Sequence, residues 1–141
     1  IEGVKFGEDL VFLFQTVPMA QRVQYISDEL HYYQSYRSGS FMQKYNAENE
    51  IRLQQHVKNL ETITEYWDRK KILDKWGKSY FDWFIDFIVP DLIYIEPKNK
   101  QNLAREVIKI IEKYHLKRFY ARTKLETKTR IKRLYKIAKG K

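Results

Sequence analysis

Leu53, Val57, Leu60, Ile63 and Trp67 recur at intervals of four, three, three and four residues. At about 100° per residue this spacing keeps all five on one side of a helix, and a long helix is expected over roughly residues 45 to 69. Such an apolar face has to be buried, and the rest of the chain supplies surfaces of the same kind. From about Lys70 onward Trp76, Phe81, Phe84, Ile85 and Ile88 form a second face, on a helix that Pro90 is expected to kink or stop. The stretch NKQNLAREVIKIIEKYH places Leu103, Val107, Ile110, Ile111 and Tyr114 on a third helix, and RTKLETKTRIKRLYKIAKGK carries a narrower stripe of Ile131, Leu134, Tyr135 and Ala138. Residues 43 to 141 therefore read as a C-terminal helical, bundle-like region ending in a basic tail. No internal repeat is visible.

Residues 1 to 42 follow a different pattern. Residues 4 to 6 read as the end of a strand, with a turn at Gly7. From Glu8 the set Leu10, Val11, Phe12, Leu13, Phe14 and Val17 reads as a short buried helix ending near Pro18. RVQYI, residues 22 to 26, alternates with period two and reads as a strand. ELHYYQSY, residues 29 to 36, is Tyr-rich and β-prone, and the Ser27-Asp28 turn before it predicts an antiparallel hairpin. RSGS, residues 37 to 40, is a loop by composition. The expected fold is mainly α, with a short α+β segment of one helix and a β-hairpin leading into the helices.

A length of 141 residues suits one domain with a real core. The absence of cysteine removes disulfides, thiolate nucleophiles and Cys-based zinc sites. The most apolar stretch, YFDWFIDFIVPDLIYI, is broken by Asp82, Asp86, Pro90 and Asp91 and is no transmembrane span. The N-terminus has no signal-peptide pattern. It begins with Ile inside a patterned segment, so the sequence is expected to be part of a longer protein. The net charge of +9 is uneven: residues 98 to 141 carry +13, and residues 1 to 97 carry −4. Front and tail are expected to do different work.

Within the front, VKFGEDLVFLFQ sets Glu8 and Asp9 side by side between Gly7 and the apolar run. Acids in a first helical turn are commonplace, because the free N–H groups and the macrodipole favour negative charge there. On these two residues alone an N-terminal cap is the simpler explanation, and cap and chemistry are compatible.

Their surroundings carry a resemblance. Glu2-Gly3, then Phe6-Gly7-Glu8-Asp9-Leu10 and Phe12, Ala20, Tyr25-Ile26, Leu30 with Tyr32 and Tyr33, and finally Ser40 with Met42 follow one another at matching intervals. Together they resemble the second half of the catalytic domain of a family 2 glycosyltransferase, the nucleotide-sugar enzymes of GT-A type that build bacterial capsule, cell-wall and lipopolysaccharide glycans. The resemblance covers about the first 42 residues. It implies that residues 1 to 42 are the tail end of a GT-A α/β catalytic domain and that the chain is its acceptor-side portion. Asp9 is then the candidate general base, with Glu8 beside it to orient the acceptor. Inverting transfer needs such a carboxylate within hydrogen-bond reach of the acceptor hydroxyl.

The same resemblance implies a diphosphate contact from the loop after the Tyr-rich strand. Arg37 is the candidate, as a guanidinium fork on a Gly-Ser loop suits phosphate oxygens, with Ser40 as a second contact. The family places its Arg directly after the strand; here Gln34 stands there and Arg37 follows three positions later. A solvated loop Arg is an equal reading. His31 reads as a strand histidine, and His56 and His115 as surface or helix-packing residues without metal-ligand spacing.

The donor-binding half, with its Asp-x-Asp and divalent Mg or Mn, is not in this sequence. The metal is expected in the full-length enzyme only, and no metal is assigned to residues of this chain. The chain alone is expected to transfer no sugar. Nucleotide sugar and a glycan or lipid-linked acceptor are the partners implied for the whole enzyme.

Two features stay open between plain and functional readings. The ring-rich WGKSYFDWFIDFIVPDLIYI reads first as core, and second as a surface for a lipid-linked acceptor or partner chain. The tail KTRIKRLYKIAKGK is basic and amphipathic. It reads equally as a solvated packing helix and as a peripheral contact with the inner face of the membrane, giving a cytoplasmic location. A basic helical nucleic-acid-binding or protein-interaction module is the rival function. The acidic front and the lack of a helix-turn-helix or RNA-recognition signature count against nucleic acid. Self-association into a homo-oligomer is a further expectation for a domain with an exposed former interface.

Overall fold

The computed structural model describes residues 7–24, 26–27, 49–94 and 99–141. Helix α1 spans Glu8–Thr16 and runs into a 3-10 turn at Val17–Met19; α2 spans Asn49–Arg69, α3 Ile72–Tyr94 and α4 Lys100–Lys113; a 3-10 segment, Leu116–Arg122, leads to α5, Leu125–Ala138. The protein is mainly helical, and α2 to α5 form a bundle.

The periodic residues make it so. Leu53, Val57, Leu60, Ile63 and Trp67 of α2 are all buried, as are Phe81, Phe84, Ile85 and Ile88 of α3 and Leu103, Val107, Ile110 and Ile111 of α4. Contacts between α2 and α3 run antiparallel. Thr64 meets Tyr80 with hydroxyls 2.7 Å apart, His56 meets Phe87 with ring centroids 4.9 Å apart, and Arg52 reaches Asp91 at 4.0 Å. The reversal takes only Lys70 and Lys71, the latter in the left-handed region at φ 58°. A second reversal comes after α4, where His115 takes φ 52°. Helix α5 returns antiparallel to α4, with Arg105 Nε donating to the Ala138 carbonyl at 3.1 Å. Gly77 on α3 lets the 3-10 segment approach closely, since a Cβ there would lie 2.1 Å from the Phe119 ring.

Pro90 neither stops nor ends its helix: α3 continues to Tyr94. Proline supplies no N–H to the carbonyl four residues back, that of Asp86. Burial of Ile88, Val89 and Leu92 on both sides of the proline holds the helix together across that lost bond. Trp76, expected on the core face, is 47% exposed. It lies near the start of α3, on the rim of a groove beside Phe14 and Val17 rather than in the core.

The acids that interrupt the apolar run of α3 prove to be inter-helix clips. Asp86 pairs with Arg130 of α5, and Asp91 lies 3.5 Å from His56. Asp82, only 5% exposed, accepts from Lys78 Nζ at 2.8 Å and from the backbone N–H of Lys124 at 3.4 Å, at the mouth of α5. Burial by itself pushes the Asp82 carboxyl up, but the donors of Lys78 and Lys124 outweigh it, and its pKa sits below the ordinary 3.8. A depressed folded-state value means stabilisation that is present above 3.8 and lost as pH falls through the folded value. Asp82→Ala is therefore expected to destabilise the fold by about 1.5–3 kcal/mol at neutral pH. The gap from wild type should narrow below pH 3.8 in urea titrations at the two pH values. An equal gap at both would show that the carboxylate charge is not what holds α3 to α5.

The front departs from expectation in two ways. Helix α1 is present, but of its apolar run only Val11 is fully buried, while Phe12, Leu13 and Val17 are exposed. A continuous apolar run wraps the whole circumference of a helix; α1 lays one side on α2 and turns the rest outward. No strand forms among the described residues. Arg22, Val23, Gln24 and Ile26, expected in a strand, have no ladder, and Val23 is 69% exposed. A strand needs a partner for its N–H and C=O groups, and none of the described residues provides one. The α+β character expected of residues 1 to 42 therefore reduces, among the described residues, to α1 and its turn. Residues 4 to 6, the Tyr-rich stretch 29 to 36 and the loop 37 to 40 lie outside the described residues.

Candidate functional site

Glu8 and Asp9 occupy the first turn of α1, and both are exposed. The helix starts where it does because Gly7, at φ 75° and ψ 26°, turns the chain in the left-handed region, and Val11 N–H then closes the first turn on the Gly7 carbonyl at 3.1 Å. Glycine is required there twice over. The left-handed conformation disfavours a side chain, and a Cβ would stand 2.5 Å from Nδ2 of the buried Asn59 on α2. Gly7 thus seats the start of α1 against the middle of α2, and the acids that follow inherit a fixed position.

The far end of α1 is pinned as well. The Trp67 indole N–H donates to the Phe14 carbonyl at 2.6 Å, and the Phe14 ring packs on Trp83 with centroids 4.2 Å apart. With Gly7 on Asn59 and Phe14 on Trp67, α1 runs parallel to the second half of α2. Two anchors seven residues apart hold the helix as a rigid arm with its acidic end at the surface.

Asp9 Oδ1 accepts from the Leu10 backbone N–H at 2.7 Å. That bond satisfies one of the free N–H groups of the first turn, a local capping contact from the second helical position, while the N-cap itself, Gly7, makes no side-chain cap bond. The bond leaves the second carboxylate oxygen open to solvent. Glu8, one residue earlier, points about 100° away around the helix.

Beside the other end of α1 lies a groove of about 510 Å³, lined among others by Phe14, Val17, Trp67, Trp76 and Trp83, with Lys75 and Gln21 as polar members. Its floor is tied down by Tyr80, whose hydroxyl is within 2.7 Å of Thr64 and whose burial raises its pKa well above the usual tyrosine range. Phe14 and Asp9 are five residues apart, about 7.5 Å along the helix axis. The ring-rich stretch of α3 marked part of this surface in the sequence; the groove itself could not be read there because its rings come from α1, α2 and α3.

Arg37, Ser40 and His31 lie outside the described residues. His56 packs on Phe87, and burial holds its pKa below 6.5 against the pull of Asp91. His115 is an exposed residue in the turn after α4. Both fit helix packing or surface. The ring-rich stretch of α3 divides, with Tyr80, Phe81 and Phe84 in the core and Trp76 and Trp83 at the groove. Among the described residues no three His, Asp or Glu side chains converge as a metal site would require. No helix among them is long and apolar enough to cross a membrane.

The fold defines an α-helical bundle with a short, doubly anchored helix presenting two acids. Comparison with protein-family models, curated proteins and solved structures finds no match to this chain.

Proposed function

We propose that this chain is the acceptor-side portion of a nucleotide-sugar-dependent glycosyltransferase of surface or capsular polysaccharide synthesis, with Asp9 as the general base. The observation that carries the reading is the placement of Asp9: a solvent-facing carboxylate at the start of a rigid arm, within the Phe-Gly-Glu-Asp-Leu stretch that resembles the family 2 enzymes. A base must be accessible to its substrate and held still, and an arm anchored at Asn59 and Trp67 meets both needs. The ring-lined groove further along α1 supports the reading as a place for the body of a glycan or lipid-linked acceptor, since aromatic faces bind such apolar surfaces with few polar constraints. Glu8 is the positioning neighbour. Arg37 and Ser40 are proposed as diphosphate contacts by resemblance, and the divalent metal belongs to the complete enzyme.

A second reading, a protein-interaction module, draws on the exposed Phe12, Leu13, Val17 and Met19 along α1. The deciding experiment is sugar transfer from a panel of nucleotide sugars, run with the complete polypeptide and with this chain alone. Transfer by the first and none by the second is expected. Turnover by the chain alone would overturn the division into halves, and no turnover by the complete polypeptide would favour the interaction module.

A further inference from the structure

The surface of α5 between the core and solvent carries a pattern that Asp9 chemistry does not use. Thr127, Ile131, Leu134 and Ala138 face the bundle and are buried. Lys128, Lys132 and Lys136 stand three, seven and eleven residues beyond Leu125. At about 100° per residue the four share one strip about 80° wide. No acid lies on that strip. Glu126 points about 100° from Leu125, and the neighbouring Asp86 is occupied by Arg130 on another side. Lys132 and Lys136 are exposed and make no ion pair among the described residues. Leu125, at the head of the strip, is 80% exposed, an apolar side chain turned to solvent between Lys124 and the lysines that follow it on the strip.

Alongside the strip runs a groove of about 620 Å³ with an apolar floor of Phe81, Ile111 and Ile131 and a rim of Lys117, Lys132 and Lys136. Two tyrosines line it, each under a cation: Lys117 Nζ sits 5.5 Å from the Tyr135 ring centre, and Lys128 Nζ 5.8 Å from that of Tyr120. Lys117 is paired to Glu112 at 2.9 Å, so the open positive charge is on the α5 side.

We propose that this face is a docking surface for an anionic phospholipid bilayer. The lysine strip lies on the headgroup phosphates, Leu125 enters the acyl boundary, and the groove takes the apolar part of one lipid. Lysine stems reach from an apolar floor to the charged layer, and tyrosine rings favour that same depth. The excess of +13 in residues 98 to 141 supplies the long-range attraction. An apolar floor and an exposed leucine distinguish this surface from a nucleic-acid interface, which would present donors and acceptors to bases or stacking platforms to a strand. The inference stands apart from the role of Asp9.

The test is sedimentation of the 141-residue chain with phosphatidylcholine vesicles, with and without phosphatidylserine, and a gel shift with single-stranded RNA. Binding to the phosphatidylserine vesicles only, falling as salt rises, is expected. Lys132→Gln with Lys136→Gln should weaken it by roughly 20- to 30-fold, about fivefold per lysine. Leu125→Ser, at a site with no core contact, should weaken it by about tenfold, with the helical circular-dichroism signal unchanged in both. Absence of vesicle binding at low salt would overturn the proposal, as would binding that neither variant alters. A tighter RNA complex insensitive to Leu125→Ser would assign the face to nucleic acid instead.

Discussion

Asp9→Asn is expected, under the proposed glycosyltransferase function, to lower the kcat of sugar transfer by about 10²- to 10⁴-fold, the usual contribution of a positioned general base. The substitution separates the hydrogen bond that this residue makes from the catalytic role proposed for it. As a cap, Asp9 accepts one hydrogen bond from the Leu10 N–H through Oδ1. Asparagine retains a carbonyl oxygen in the same place that can accept the same bond. As a base, Asp9 needs a carboxylate able to take a proton, and an amide cannot. Because the side chain is exposed, no core packing is disturbed. Thermal midpoint and donor KM should therefore stay near wild type while turnover falls. Glu8→Gln, on the neighbouring side of the helix, should cost distinctly less. Turnover within a factor of three of wild type for Asp9→Asn would leave Asp9 a helix cap and remove the catalytic assignment.

Phe84→Ala is the second large effect, and it falls on stability. Phe84 is fully buried near the middle of α3, edge-on to Tyr80 with ring centroids 6.1 Å apart. Helix α3 packs against α2, α5 and the 3-10 segment, so no single neighbour can move in to fill the space. Removing a buried phenyl ring costs about 3–5 kcal/mol, against a total of about 5–15 kcal/mol for a domain of ordinary stability. The midpoint of thermal unfolding should drop by on the order of 10–20 °C. Trp76→Ala, eight residues earlier on the same helix, removes a larger ring but one that is 47% exposed, and should cost about 1 kcal/mol or less. Equal losses for the two would mean that burial along α3 is not distributed as described.

The contrast between Phe84 and Trp76 shows what periodicity can and cannot tell. Both belong to one apolar pattern, and the pattern correctly marks α3 as a helix with a buried face. Where along the helix that face loses its cover depends on the lengths of its neighbours, and no local pattern records those lengths. Pro90 teaches a similar lesson. As an isolated residue it breaks helices, but burial of Val89 and Leu92 beside it outweighs one missing hydrogen bond. RVQYI alternates as a strand does, yet the described residues of that stretch find no ladder partner.

The placement of Glu8 and Asp9 at a helix start was legible from sequence because its signal is contiguous, a glycine, two acids and an apolar run. Its support was not. That Asn59 receives Gly7, and that Trp67 holds Phe14, follows only once α1 lies along α2. The acids of α3 are the clearest case. Sequence shows Asp82, Asp86 and Asp91 merely as interruptions of an apolar run, enough to argue against a membrane span.

Four helices, their buried faces, the exposed acid pair and the basic tail are set by the sequence itself, because helical periodicity and charge are properties of neighbours along the chain. The assignment of Asp82 to the mouth of α5, the ring-lined groove, and the lysine strip flanking an apolar floor were decided by tertiary packing. Each joins groups some twenty to seventy residues apart, whose energies depend on distances that only the assembled bundle defines.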